Sequence, residues 1–146
     1  MTASALPESL AGISEAFGEL ELPERLQLLA EFAAGLPPLP AVYAESPELL
    51  ERVAECQSPV FIVVDVGLDG RVALHATAPE QAPTTRGFAG VLVEGVAGLT
   101  PAELDAVPDE FARELGLERV VSPLRLAGMA GMLRRVKRQA REKGAA

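Results

Sequence analysis

A single β-type segment in the middle of the chain, with helical patterns on both sides, limits the folds that this sequence can adopt. The run PVFIVVDV (59–66) is rich in β-branched and aromatic residues, and RVALHATA (71–78) alternates in polarity. Between them, GLDG (67–70) supplies turn residues. Together they predict a β-hairpin with one wetter face. His75 falls on that face, so we expect a solvated surface histidine rather than a catalytic base.

Upstream of the hairpin, apolar residues recur every three or four positions, which is the spacing of one helix face. The pattern predicts two amphipathic helices, one entered at Pro7 and a second after Pro23. The prolines of LPPLP (36–40) lack N–H donors and restrict the residues before them, so this stretch is expected to be an extended connector. The segment LLERVAE (49–55) fits either a helical turn or a third strand.

Downstream of the hairpin, the pattern is helical to the end of the chain. Thr85 is a candidate N-cap for a helix over 86–98, Thr100 opens a capping-box sequence, and the last helix is expected to begin at Ser122. Because helices do not separate the strands, this order predicts an α+β fold. One small antiparallel sheet would pack against N- and C-terminal helices in a single domain spanning residues 1–146.

The charge of the chain argues against a polyanionic partner over most of its surface. Thirteen Lys and Arg residues face 21 Asp and Glu residues, for a net charge of −8, so nucleic acid is not an expected partner. Residues 134–146 are the exception, because six basic residues there face only Glu142. We interpret them as cations that the dipole favours at the end of a helix, with nucleic-acid or anionic-membrane contact as the alternative.

No apolar run approaches the roughly 18 residues that span a bilayer. The first ten residues also lack the charged start and apolar stretch of a secretory signal. We therefore expect a cytoplasmic protein without a membrane partner.

The cysteine and histidine counts exclude many chemistries. Cys56 is the only cysteine and His75 the only histidine, so neither an internal disulfide nor a Cys/His zinc tetrad can form. An iron–sulfur cluster ordinarily takes about four protein ligands, which this chain does not offer as thiolates. Phosphate-loop, dinucleotide-binding and nucleophile-elbow motifs are also absent from the sequence. We expect no cofactor and no metal, which leaves a lone thiol, several arginines and unassigned carboxylates.

Cys56 lies in ECQSP (55–59), where we expect a turn at the end of the sheet. A lone cysteine in a cytoplasmic protein is more often a small buried hydrophobe than a nucleophile. Its neighbours Glu55, Gln57 and Ser58 are polar, however, which is an unusual setting for a packing residue.

Two arginines occupy unfavourable positions. Arg86 and Arg125 both fall in the first turn of a predicted helix, where a cation opposes the helix dipole at a cost of about 0.3 to 1 kcal/mol. A nearby group should offset this cost. A carboxylate partner and an anion or thiolate partner both remain open.

Four further motifs occur in the sequence in a fixed order: ECQSPVF (55–61), TTRGFAGVLVEG (84–95), GLTPAEL (98–104) and SPLRLAGMAGML (122–133). In this order and spacing, they together resemble the SufE family of sulfur-acceptor proteins for iron–sulfur cluster assembly. The resemblance covers nearly the whole chain. It implies the compact α+β fold shared with NifU/IscU-type scaffolds, and it assigns LLERVAE (49–55) to a strand, which makes the sheet three-stranded.

The resemblance also implies a function. In that family, the cysteine of the CQS motif takes a sulfane sulfur from the persulfide of a pyridoxal-phosphate cysteine desulfurase (SufS-like). It stimulates that enzyme and passes the sulfur to an iron–sulfur scaffold (SufBCD-like). The carrier cysteine corresponds to Cys56 and the SPxR arginine to Arg125, while Gln57 and Ser58 match the residues after the cysteine. Arg86 is a further candidate for supporting the loop or its charge.

The sequence departs from the family pattern at two places. Glu55 stands where the family often has glycine, and ATAPEQAPTT (76–85) replaces an acidic stretch after the hairpin.

Sulfane transfer resembles thiol–disulfide exchange, so one accessible cysteine suffices, and the protein would act as a sulfurtransferase-type carrier rather than an independent enzyme. Two other hypotheses remain. One is a non-covalent regulatory binding module of a partner enzyme, and the other is a thiol redox sensor.

Overall fold

The computed structural model describes residues 6–144, and the elements lie in the predicted order. The predicted domain, 1–146, extends beyond the described residues at both ends. The helices are α1 (Glu8–Gly18), α2 (Leu22–Ala34), α3 (Ala41–Ala44), α4 (Pro83–Val96), α5 (Pro101–Asp105), α6 (Phe111–Glu114) and α7 (Pro123–Gly144); the strands are β1 (Glu51–Arg52), β2 (Phe61–Val66) and β3 (Val72–Thr77). Single 3₁₀ turns lie at Pro47–Leu49 and Leu117–Arg119.

The three strands form one antiparallel sheet in the order β1-β2-β3, which confirms the predicted fold class. The hairpin turn closes with a hydrogen bond from the Gly67 N–H to the Arg71 carbonyl, and Gly70 adopts a φ of 79° that favours glycine. The ambiguous segment LLERVAE (49–55) contributes strand β1, as the resemblance implied, but only over two residues.

Helices α4 and α7 cover one face of the sheet, and the short helix α3 covers part of the other. α4 packs on β3 and also against α2, while α7 packs on β2. Close approach of α2 and α4 depends on Gly87, because a Cβ atom there would lie 2.3 Å from the Leu29 carbonyl oxygen. The core between these layers includes the fully buried rings of Phe17, Phe88 and Phe111.

Side chains of α7 bind the edge of β2 where the short strand β1 ends. The Val64 N–H donates to Gln139 Oε1 at 2.8 Å, and Lys143 Nζ donates to the Val64 carbonyl oxygen at 2.5 Å. Gln139 Nε2 also donates to Glu51 Oε1 at 2.8 Å. The two bonds to Val64 pair backbone groups that an exposed strand edge would otherwise leave without a hydrogen-bond partner.

Most basic side chains of α7 form ion pairs with acidic side chains of the same chain, so the helix dipole is not the only group that stabilises them. Their partners are Glu51 and Glu55 for Arg135, Asp109 for Lys137, Glu51 and Glu142 for Arg138, and Asp105 for Arg141. The positive charge of residues 134–144 is thus largely balanced by acidic side chains of the same chain. None of the helices between residues 6 and 144 is long and apolar enough to cross a membrane.

The environment of His75 differs from the prediction. It lies on the polar side of β3 as expected, but it is only partly exposed, with its Nε2 3.1 Å from Asp65 Oδ2. Tyr43 covers the imidazole, with 5.5 Å between ring centroids, and donates to Asp65 Oδ1 at 2.5 Å. Burial and the Asp65 hydrogen bond raise the pKa of Tyr43 to about 12. His75 is therefore a packed, hydrogen-bonded residue because α3 covers this face, which strand periodicity alone does not reveal.

Candidate functional site

Cys56 lies in the loop that joins β1 to β2. The loop is closed at its base by a hydrogen bond from the Val53 N–H to the Val60 carbonyl, and the Cys56 N–H donates to the Val53 carbonyl at 3.1 Å. These bonds make the tight turn that was expected from the position of Cys56 between LLERVAE (49–55) and the first clear strand. The thiol is covered all the same, because Cys56 is only 8% exposed.

The loop rests on two glycines of α7. A Cβ atom at Gly128 would lie 3.0 Å from Cys56 Sγ, and one at Gly131 would lie 2.6 Å from the Glu55 side chain. Because these positions are one helical turn apart, they form a flat strip that the loop can approach closely. The sequence contained this spacing, but nothing in it indicated which segment the strip would contact.

A small cavity of about 50 Å³ lies beside Cys56. It brings together three of the four supporting residues expected from the sequence, Gln57, Ser58 and Arg125. The complete lining is Glu55, Cys56, Gln57, Ser58, Thr85, Leu124, Arg125 and Gly128. Two helices that start at the cavity, α4 and α7, contribute to it along with the cysteine loop.

Thr85 does not have its predicted role. Helix α4 begins three residues earlier than expected, with Ala82 as N-cap and Pro83 in the first turn, so Thr85 is inside the helix. Proline at the start of a helix has no N–H to leave unpaired, which explains the earlier start. The Thr85 side chain lines the cavity and is buried, a position that no local sequence signal indicated.

Arg86 and Arg125 have different surroundings. Arg86 donates from Nε to the Ala33 carbonyl at 2.9 Å and from Nη1 to the Ala78 carbonyl at 2.5 Å, so its partners are backbone oxygens rather than the carboxylate, anion or thiolate expected. It is not among the residues that line the cavity. Arg125 is exposed at the cavity, and its backbone N–H donates to Ser122 Oγ at 3.3 Å.

An ion-pair cluster fixes the residue before the cysteine. Arg135 donates from Nε to Glu55 Oε1 at 2.9 Å, from Nη2 to Glu55 Oε2 at 3.2 Å and from Nη1 to Glu51 Oε2 at 2.6 Å. The bidentate pair with Arg135 lowers the pKa of Glu55. Partial burial raises the pKa of Glu51, but hydrogen bonds, of which that from Arg138 is the strongest, outweigh burial and lower it overall. Both carboxylates are therefore charged at neutral pH.

The surroundings keep the resting thiol protonated. Burial raises the pKa of Cys56, the Glu55 carboxylate raises it further, and Arg135 acts in the opposite direction. Because the thiolate is the nucleophile, Cys56 in this closed arrangement is a weak one. Within residues 6–144, no three His, Cys, Asp or Glu side chains are grouped to hold a metal ion.

Comparisons with known proteins agree with this architecture. The family model for SufE, described as an Fe-S metabolism associated domain, matches residues 11–140. An uncharacterized SufE-like protein of Mycobacterium tuberculosis is 50% identical over 143 residues, which cover 97% of this chain and 99% of the relative. A SufE-like protein of Synechocystis is 28% identical over 141 residues, covering 96% of this chain and 85% of the relative.

A solved structure is also similar. The solution structure of a hypothetical protein from Thermus thermophilus aligns with a TM-score of 0.85 and 40% sequence identity, covering 97% of this chain and 99% of that one. The match of the family model to most of the chain and the high identity to full-length relatives identify the family that the four motifs indicated. The chain belongs to the SufE family and has a role in Fe–S metabolism.

Proposed function

We propose that this protein is a sulfur acceptor and carrier. Cys56 takes a sulfane sulfur from the persulfide of a pyridoxal-phosphate cysteine desulfurase and passes it to an iron–sulfur scaffold in the cytoplasm. The protein also stimulates the desulfurase. The observation that supports this most directly is the position of the only cysteine of the chain. It sits in a tight loop beside a small cavity of about 50 Å³. Membership of the SufE family, whose model is described as an Fe-S metabolism associated domain, supports a role of this kind.

The transfer step balances without a metal or redox partner. The Cys56 thiolate attacks the terminal sulfur of the donor persulfide, so a new S–S bond forms at Cys56 while the donor S–S bond breaks. The donor cysteine leaves as a thiolate and then takes up a proton. Cys56 ends as a persulfide, and the same exchange in reverse order delivers the sulfur to the next thiol.

The closed loop implies that a partner activates Cys56. The buried thiol is protonated, so it has to move or lose the effect of burial before it attacks. Leu124 is 53% exposed beside the cavity and next to Arg125, which offers the desulfurase an apolar contact and a positive charge at the same point. Gln57 and Ser58 lie at the cavity too, where they support the loop on the side of entry.

The test is sulfur loading by a desulfurase. After incubation with a cysteine desulfurase and cysteine, intact-protein mass spectrometry should show the mass of one added sulfur atom, and peptide mapping should place it on Cys56. Cys56→Ser should lose both the adduct and the stimulation of the desulfurase. An unlabelled Cys56 with a desulfurase that loads another acceptor would contradict the proposal.

The same experiment separates the two other hypotheses. A Cys56→Ser variant that still stimulates the desulfurase would favour a non-covalent regulatory module. Peroxide reactivity far above that of an ordinary cysteine, without sulfane loading, would favour a redox sensor. Ser58→Cys in the Cys56→Ser background is a matched control, because it returns a thiol to the loop at the wrong position.

A further inference from the structure

Thr85 is buried at the cavity that also contains Cys56, and its hydroxyl has no hydrogen-bond partner among residues 6–144. Thr85 is 8% exposed and lines the same cavity as the cysteine. Among the hydrogen bonds of residues 6–144, none involves the Thr85 hydroxyl. A buried hydroxyl that binds nothing is costly, and native proteins rarely keep one without a reason. The unpartnered Thr85 hydroxyl therefore points to a ligand in the cavity.

The helix that carries Thr85 adds a second attraction for an anion. The N-cap of α4, Ala82, makes no side-chain capping bond, and the first turn has no acidic residue. The N–H groups at the start of a helix and its dipole favour negative charge when no cap neutralises them. The guanidinium of Arg86 binds two backbone carbonyls instead of a nearby anion. The start of α4 thus offers its hydroxyl and its dipole to the cavity.

The cavity has room for an added sulfur atom. Its volume of about 50 Å³ exceeds the roughly 10 to 15 Å³ that a cavity needs to hold one water molecule. A single sulfur atom bonded to Cys56 Sγ is similar in size to a water molecule and fits this space.

We propose that the cavity holds the sulfane sulfur of the Cys56 persulfide and that the Thr85 hydroxyl donates a hydrogen bond to it. This inference rests on the proposed acceptor function, which it extends from the carrier atom to the group that binds the cargo. When the persulfide ionises, its terminal sulfur carries the negative charge. A hydrogen bond and a helix N-terminus directed at that atom stabilise the anion and keep it from solvent.

The experiment compares the wild-type protein with Thr85→Val, which removes the hydroxyl at nearly constant volume, and Thr85→Ser, which keeps it. Each protein is loaded with inorganic polysulfide and desalted. In this reaction the Cys56 thiolate takes one sulfur and a polysulfide shorter by one sulfur leaves. Intact-protein mass spectrometry counts the added sulfur, and the rate of alkylation of the persulfide by iodoacetamide is measured as a function of pH.

We expect Thr85→Val to lower the ionisation constant of the persulfide about tenfold, which corresponds to about 1.4 kcal/mol. In Thr85→Ser, the ionisation constant should stay within about twofold of wild type, because the serine hydroxyl still binds the charged group. A purely structural effect would change the maximum alkylation rate through loop opening but leave the midpoint of the pH profile in place. Thr85→Ala also lacks the hydroxyl and replaces Thr85→Val if the latter does not fold.

Three outcomes overturn the inference: equal midpoints in Thr85→Val and wild type, equal shifts in the valine and serine variants, or a folded wild-type protein that polysulfide does not load. Because polysulfide loading needs no protein partner, its result is separate from the proposed function. A desulfurase that fails to load the wild-type chain would refute the proposed donor and leave the assignment of Thr85 standing.

Discussion

Replacing Glu55 with glutamine is expected to open the cysteine loop. The Glu55 carboxylate holds the loop on α7 through two hydrogen bonds to Arg135, at 2.9 and 3.2 Å. Glutamine keeps the size of the side chain but loses the charge. The closed loop should then lose stability relative to an open one in which Cys56 meets solvent, and Cys56 should react faster with an alkylating reagent.

The magnitude follows from the exposure of the pair. The Glu55 side chain is 35% exposed and that of Arg135 is 23% exposed, so solvent screens part of the attraction. Exposed ion pairs contribute about 0.2 to 1 kcal/mol, and the bidentate geometry places this one in the upper half of that range. A loss of about 0.5 to 1 kcal/mol corresponds to roughly a two- to fivefold larger open population.

A pH profile separates loop opening from thiol ionisation. The Glu55 charge also raises the pKa of Cys56, so its loss shifts the profile to lower pH, while loop opening raises the plateau where the thiol is fully ionised. The assay measures the rate at which iodoacetamide alkylates Cys56 between about pH 6 and about pH 10.5. In the wild type we expect a midpoint above about 8.5, the ordinary thiol value, because burial raises the pKa of Cys56.

Arg135→Ala provides the opposing variant. It also frees the loop, but it leaves the Glu55 charge and removes a cation that lowers the pKa of Cys56. Its plateau should rise while its midpoint moves to higher pH. Asp105→Asn is the matched control, because it breaks the ion pair with Arg141 on the same helix away from the cysteine. Plateau rates equal to wild type in both Glu55→Gln and Arg135→Ala would refute the reasoning.

The pH range of this assay leaves the ion pair intact. Arg135 lowers the pKa of Glu55 in the folded protein. The pair therefore contributes fully above the unfolded carboxyl value of about 4.3, and its contribution is lost as pH falls through the lower folded value. Wild-type loop opening should accordingly increase in acid, whereas Glu55→Gln should lack this acid response.

Two further predictions concern the site and its support. Arg125→Ala should slow sulfur loading by about two- to fivefold, because it removes an exposed charge beside the reacting sulfur. Its melting temperature should not change, since the side chain is exposed. Partial recovery by Arg125→Lys would identify charge as the cause, and unchanged loading would return Arg125 to a structural role. Gln139→Leu leaves the buried Val64 N–H without its acceptor and should cost about 1 to 3 kcal/mol. In thermal denaturation, the melting temperature of Gln139→Leu should fall by roughly 2–4 °C per kcal/mol, whereas that of the exposed control Gln27→Leu should not fall. Equal melting temperatures of Gln139→Leu and wild type would contradict the role given to Gln139.

Features that depend on a few neighbouring residues were predicted from the sequence. The capping box is an example: the Glu103 N–H donates to Thr100 Oγ1 at 3.1 Å, and the Thr100 N–H donates to Glu103 Oε1 at 2.9 Å. The hairpin turn and the extended LPPLP connector (36–40) are further examples, because glycine and proline restrict the backbone locally. The resemblance then supplied what periodicity could not, the strand assignment of β1.

Features that depend on distant residues were missed. Glu55 and Arg135 lie 80 positions apart, and the charge pattern of the last helix was compatible with a simple dipole effect. The burial of His75 depends on Tyr43, which lies in a short helix that the sequence did not indicate. Thr85 was misplaced for another reason, since two helix-start signals stood close together and the proline prevailed.

The glutamate that replaces the family's common glycine is compatible with the fold because α7 supplies both room and charge. Gly131 leaves space where a Cβ atom would lie 2.6 Å from the Glu55 side chain, and Arg135, one helical turn further on, binds its carboxylate. A glycine at position 55 would make the loop flexible by itself, whereas the glutamate restrains it by a contact that can be broken. The glutamate therefore ties the cysteine loop to the same helix whose first turn carries the exposed residues Leu124 and Arg125.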